Sequence, residues 1–194
     1  MPLSRLTIPL YRLTMLMLTF NSFCRVSTAY LLKQLFLPKV VERGITMSNI
    51  REGMPVLARH EGDWVGTYTL IDTTGKILDK YESHLTCQFP ENGPHPYYQI
   101  NRYKWSDGKR EEYEFPGIYK DNKLWFNTDR IDGKAWEADD SIVILWFSYK
   151  TNPEMSLYEM IYISPDNNNR ARTWHWFKNN QIFQRTLIQE ERVR

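Results

Sequence analysis

From Asp63 onward, apolar and polar residues alternate in short runs, and each run stops at turn-forming residues. "DWVGTYTLI" ends at "DTTG", "KILDKYESHLTCQF" at "PENGPHP", "YYQINRYKW" at "SDG" and "KREEYEF" at "PG". "IYKDNKLWFN" carries its own turn at Asp121-Asn122. "KAWEA", "SIVILWFSY", "SLYEMIYI" and "RARTWHWFK" follow, and "QIFQRTLIQEERV" closes the chain. A period of two, bounded by Gly, Pro, Asn and Asp, marks β-strands joined by hairpins. About ten such runs in succession predict an all-β fold, an antiparallel barrel with a sandwich as the competing architecture. Residues 51–60, with Pro55 near their start, read as one short helix ahead of the strands.

Hairpin turns allow side chains to be assigned to faces. Asn179-Asn180 is a two-residue connection whose residues tolerate positive φ, which suits a type I′ turn and pairs Lys178 with Gln181. Counting back opposes Trp176 to Phe183, Trp174 to Arg185 and Arg172 to Leu187. His175 then opposes Gln184 on the other side, and Thr173 opposes Thr186. The histidine in "RTWHWF" therefore does not share a pocket with its flanking tryptophans. Across "SPDNNN", opposing Ile163 to Arg170 brings Glu159 opposite Trp174 and diagonal to Arg172, within reach of an ion pair. Such a pair serves either as a polar anchor for a ligand or as a structural bridge. Across "PENGPH", counting opposes His84 to Asn101, Thr86 to Gln99 and Glu82 to Tyr103. Gln99, Asn101, Tyr103 and Trp105 then form an alternating stripe that is either solvated or lines a wet cavity.

A barrel of about ten strands is wide enough to leave an interior cavity. Seven tryptophans and twelve tyrosines supply the aromatic walls usual for a small-ligand site. The candidate lining is Trp64, Tyr68, His84, Gln99, Asn101, Tyr103, Trp105, Glu159, Arg172, Trp174, Trp176 and Arg185. Should the opposite faces point inward, His175, Gln184, Tyr158 and Thr173 replace it.

Charge narrows the partners. Of 25 basic and 23 acidic side chains, six and one fall within residues 1–46, which leaves 19 and 22 in the rest. The strand-forming part is mildly acidic, which argues against nucleic acid. The first 46 residues are apolar, basic and hydroxyl-rich, and the run from Leu13 to Phe20 is too short to span a bilayer. Residues 1–46 are thus expected to be an extension, either an over-long start before Met47 or a targeting segment, with the barrel domain at 47–194. A cytoplasmic location follows in the first case and export or organelle targeting in the second.

Cys24 and Cys87 form no disulfide framework or metal pair, and His60, His84, His95 and His175 lack metal-ligand spacing. Nucleotide-binding glycine loops, HExxH, CxxC and GxSxG are all absent. No cofactor is expected from motifs, and Glu159, Glu82, His84 and Tyr103 qualify for acid–base work by residue type alone.

At "RHEGDWVGTY", Gly62-Asp63-Trp64 resembles the glycine–any–tryptophan signature that opens the first strand of lipocalins and other calycins. The resemblance implies a tryptophan at the closed end of the barrel with an arginine from the last strand packed over it, roles matched by Trp64 and Arg185. "GMPVLARHEGDWVGTY", "YYQINRYKW", "LYEMIYIS", "RTWHWF" and "QRTLI" extend the likeness from Gly53 to Val193. They are similar to an uncharacterised calycin-like family of unknown function, widespread in cyanobacteria with relatives in other bacteria and fungi. That resemblance implies a lipocalin-like barrel, and the cavity expected within it suits a small apolar or amphipathic ligand. Carriage is the first expectation and an isomerase- or cyclase-type enzyme the second. A bilin- or haem-handling protein, with His175 the candidate haem ligand, is the third, and a filled interaction module the fourth.

Overall fold

The structure, a computed structural model, describes residues 49–194; the expectations for residues 1–46 lie outside them. Two short helices, α1 (Ile50–Gly53) and α2 (Pro55–Ala58), precede ten strands. These are β1 (Gly62–Asp72), β2 (Ile77–Gln88), β3 (Tyr97–Lys104), β4 (Arg110–Lys120) and β5 (Lys123–Asn127), then β6 (Ile131–Glu137), β7 (Ile142–Tyr149), β8 (Met155–Ile163), β9 (Asn169–Lys178) and β10 (Gln181–Arg192). Each strand pairs antiparallel with its neighbour in sequence, and β10 returns to pair with β1, so the sheet closes. Closure leaves no edge strand, which explains how so aromatic a sequence avoids an exposed pairing template.

The single helix expected at 51–60 is two. Pro55 has no N–H to continue α1 and instead opens α2 at a position where its fixed φ fits. The turn expected at Pro116-Gly117 is not one: β4 runs through it. There β4 exchanges partners, with Gly117 opposite Tyr97 of β3 and Ile118 opposite Trp125 of β5. The missing N–H of Pro116 thus falls near the end of one ladder. Asn179 and Asn180 both take positive φ, 51° and 61°, as a type I′ turn requires.

Burial alternates along the strands as the period of two demands. Trp64 and Tyr68 of β1, Leu85 and Cys87 of β2, and Leu157, Glu159 and Ile163 of β8 all point inward. Two glycines admit close approaches. A Cβ on Gly66 would lie 2.0 Å from the Gln189 carbonyl oxygen of β10, and Gly62, at φ +111°, starts β1 beside the Arg192 guanidinium.

The helices and the β2–β3, β4–β5, β6–β7 and β8–β9 connections gather at one end. Leu57 N–H donates to Glu137 Oε1 at 2.8 Å, and Arg59 donates to the Asp140 and Ser164 carbonyls and to Asn167 Oδ1. These bonds fasten α2 across that end. The opposite end carries the β1–β2, β3–β4, β5–β6, β7–β8 and β9–β10 turns and stays open.

Candidate functional site

At the closed end Trp64 lies fully buried between two guanidinium groups, Arg170 at 4.2 Å and Arg192 at 4.3 Å from its ring centre. Its indole N–H donates to the His60 carbonyl at 2.9 Å. Arg192 in turn donates to the carbonyls of Asn167 at 2.7 Å and Arg59 at 2.6 Å, and to that of Glu61. One residue thus ties the last strand, the helical cap and the β8–β9 loop together. This is the tryptophan–arginine arrangement expected, with a different arginine. Arg185 does not reach Trp64: it lies opposite Ile71, toward the other end of β1, and a register shift between Ile182 and Gln184 leaves Phe183 as an extra residue. The bulge sets Arg185 opposite His175 on the outer face and Gln184 opposite Trp176.

Above Trp64 lies a buried ionic cluster. Arg170 meets Glu190 Oε2 through Nε at 2.8 Å and Nη2 at 2.6 Å. Arg172 meets Glu159 Oε1 at 2.5 Å and Glu190 Oε1 at 3.2 Å. All four side chains are at most 3% exposed, and their charges balance. Burial alone would lower the Arg172 pKa, but Glu159, foremost among its neighbours, reverses this and holds it well above the ordinary value.

His60 lies near this cluster with neither ring nitrogen hydrogen-bonded among the described residues. Burial, then the charges of Arg170, Arg172, Arg59 and Arg192, push its pKa well below the usual value, so the ring is neutral.

The cluster continues into a hydrogen-bonded chain up the wall. Arg172 Nη1 donates to the Tyr68 hydroxyl at 2.9 Å. Tyr97 donates to Gln99 at 2.7 Å, Gln99 to Asn101 at 2.8 Å, and Asn101 to Tyr103 at 2.9 Å. Burial raises the Tyr103 hydroxyl to about 12, against the pull of Arg172 and of the hydrogen bond from Asn101.

The chain borders a cavity of about 450 Å³ that fills the rest of the barrel and reaches the open end. Of the residues expected to line it, Gln99, Asn101, Tyr103, Trp105, Glu159, Arg172, Trp174 and Trp176 do. The alternating stripe of β3 therefore lines the cavity. Trp64 and Tyr68 point inward but lie beneath or behind the lining, each with no exposure. His84 is outside. Its strand pairs one residue away from the count, opposite Arg102, and its Nε2 meets Asp63 Oδ1 at 3.0 Å on the surface. The face that turns inward is the one shared by Trp64 and Trp174, so His175, Tyr158 and Thr173 lie outside. No histidine lines the cavity among the described residues, which leaves His175 no place as an interior haem ligand.

Counting hairpins missed the β4–β7 half of the lining: Tyr113, Phe115, Leu124, Phe126, Val143 and Phe147 among it. Arg130 stands at the open end, 4.4 Å from the Tyr113 ring centre and 5.5 Å from that of Phe115. Inward parity along β4 to β7 was the available signal, once "PG" is read as strand.

No curated protein matches the chain. Among solved structures, the barrel is similar to the S-type phycobiliprotein lyase CPES of Guillardia theta. That match has 13% identity and a TM-score of 0.58, and it covers 72% of this chain and 92% of the lyase. It is also similar to a protein of unknown function from Nostoc punctiforme, at 16% identity and a TM-score of 0.54, covering 71% of this chain. The chain spans about half, 49%, of the length of that protein, which is itself from the DUF3598 family. The model of the N-terminal part of DUF3598, a domain of unknown function, matches residues 53–194, and the chain therefore belongs to this family of calycin-like barrels.

Proposed function

We propose that the barrel binds and carries a small, largely apolar ligand in its interior. The observation that carries this reading is the cavity itself, about 450 Å³ in volume, walled by aromatic rings and open opposite the helical cap. Such a space has the size and lining of small-molecule sites. The resemblance to a phycobiliprotein lyase supports binding at the level of the fold and identifies no ligand.

Carriage is favoured over catalysis by the state of the two acids that line the cavity. Glu159 is held by Arg172 at 2.5 Å and Glu111 by Lys109 at 2.7 Å, so each is paired rather than offering a free base. Titration with N-phenyl-1-naphthylamine, an apolar dye that brightens in dry surroundings, tests the reading. One equivalent should saturate the protein. Ala135→Trp, which fills the cavity from β6, should abolish the signal. Binding that fails to saturate, or that survives Ala135→Trp unchanged in a folded protein, contradicts an interior site.

A further inference from the structure

The hydrogen-bond protons around Tyr103 outnumber their acceptors. Asn101 Nδ2 donates to the Tyr103 hydroxyl, and Arg172 Nη1 donates to the Tyr68 hydroxyl, each at 2.9 Å. Each oxygen thus accepts from outside the pair, and a bond between the two hydroxyls would use only one of their two protons. One hydroxyl proton is left without an acceptor among the described residues.

The amides cannot turn to absorb it. Tyr97 donates to Gln99 Oε1 at 2.7 Å, and the Cys87 thiol lies 3.7 Å from the same oxygen. Cys87 and Tyr97 also face each other at 3.7 Å, but that contact uses only one of their two protons, so the other goes to Gln99 Oε1. Gln99 must then donate through Nε2 to Asn101, and Asn101 through Nδ2 to Tyr103. Tyr103 lines the cavity while Tyr68 is fully buried behind it, so the surplus proton is presented on Tyr103.

Trp174 supplies a second donor. It lines the cavity, and its Nε1 is buried with no partner among the described residues. The Tyr103 and Trp174 rings both pack edge-on against Tyr68, at 5.1 and 5.3 Å between centres. The two rings therefore border one stretch of wall. Buried donors normally find acceptors, and here the cavity is where an acceptor would have to come from.

We propose that the Tyr103 hydroxyl and the Trp174 indole N–H together hold an acceptor oxygen of the bound molecule. The ligand class is then a largely apolar compound carrying a carbonyl or oxo group, rather than a plain hydrocarbon chain. This deepens the carrier reading and rests on it. A site built to satisfy a polar group discriminates strongly against analogues lacking that group.

A pair of dyes tests it. 6-Propionyl-2-dimethylaminonaphthalene carries a ketone whose emission moves to longer wavelength when hydrogen-bonded, and N-phenyl-1-naphthylamine carries no oxygen. Tyr103→Phe should weaken the ketone dye about tenfold, one buried hydrogen bond's worth, and move its bound emission to shorter wavelength. Trp174→Phe should act in the same direction. In each variant the ketone dye should lose several-fold more affinity than N-phenyl-1-naphthylamine, and far-ultraviolet dichroism reports an intact barrel. If both dyes bind the parent and neither variant alters the affinity or emission of the ketone dye, the proposal is overturned. If neither dye binds the parent, the carrier reading fails first and the proposal with it.

Discussion

Replacing Glu190 with Gln tests whether the barrel floor is held by charge balance. Glu190 is 2% exposed and faces two guanidinium groups, accepting from Arg170 Nε at 2.8 Å, with Arg170 Nη2 paired at 2.6 Å, and from Arg172 at 3.2 Å. The substitution keeps the shape and one acceptor oxygen. It turns an amide N–H₂ toward donors that cannot accept, and it leaves the buried cluster with two cations and only Glu159 as an anion. Breaking a buried pair on one side costs about 3–5 kcal/mol, because the remaining charge stays out of water. For a domain near this size that lowers Tm by about 10 °C. Urea unfolding at pH 7, followed by tryptophan fluorescence and far-ultraviolet dichroism, gives the difference directly. Arg170→Met restores neutrality, so the double variant should be more stable than the two single losses predict, by about 1–3 kcal/mol. A loss below about 1 kcal/mol for Glu190→Gln, or strict additivity in the cycle, refutes the reasoning.

The arginines at the closed end separate by role. Arg192→Ala, which removes three carbonyl bonds and one face of the Trp64 sandwich, should cost about 2–4 kcal/mol in the same urea assay, whereas Arg185→Ala on the outer face should stay within about 0.5 kcal/mol. Trp64→Ala should cost about 3–5 kcal/mol, as for other buried aromatics. His60 sets an acid limit: it is neutral when folded, while the unfolded chain takes up a proton below about pH 6.5. Its contribution is intact above that pH and is lost as pH falls toward the depressed folded value, at up to about 1.4 kcal/mol per unit. Stability should therefore drop between about pH 6.5 and 5, above the range where the depressed Asp63 and Glu61 begin to matter. His60→Leu should flatten most of that slope in urea midpoints, leaving a smaller one from half-exposed His175.

The sequence made the barrel legible because strand period and turn chemistry are local. The Asn179-Asn180 turn permits one register, and the Glu159–Arg172 pair follows once Ile163 is opposed to Arg170, the pairing the strands adopt. The two residues placed on the wrong face, Arg185 and His84, lie past features with no local mark, whereas Pro55 and Pro116 carried a mark that the structure uses differently. A bulge at Phe183 turned Arg185 outward, and the long β2–β3 loop did not fix the parity of His84. A one-residue slip exchanges the two faces, so each error moved a residue from inside to outside. The resemblance to calycins carried the right role, an arginine over Trp64 from the last strand, but the residue is Arg192, near that strand's far end. The helical cap lay beyond reach, since its anchors, Arg59 to Ser164 and Leu57 to Glu137, join residues far apart in sequence.

The central claim is an interior site, and the tryptophans report on it directly. Trp105, Trp174 and Trp176 line the cavity, while Trp125, Trp136 and Trp146 stand on the outer face of the same barrel. Their indole N–H signals should be followed by two-dimensional NMR during titration with N-phenyl-1-naphthylamine. The account predicts that the three inner signals move and saturate together at one equivalent while the three outer ones stay in place. Movement confined to the outer tryptophans, or no movement at saturating dye, would contradict it.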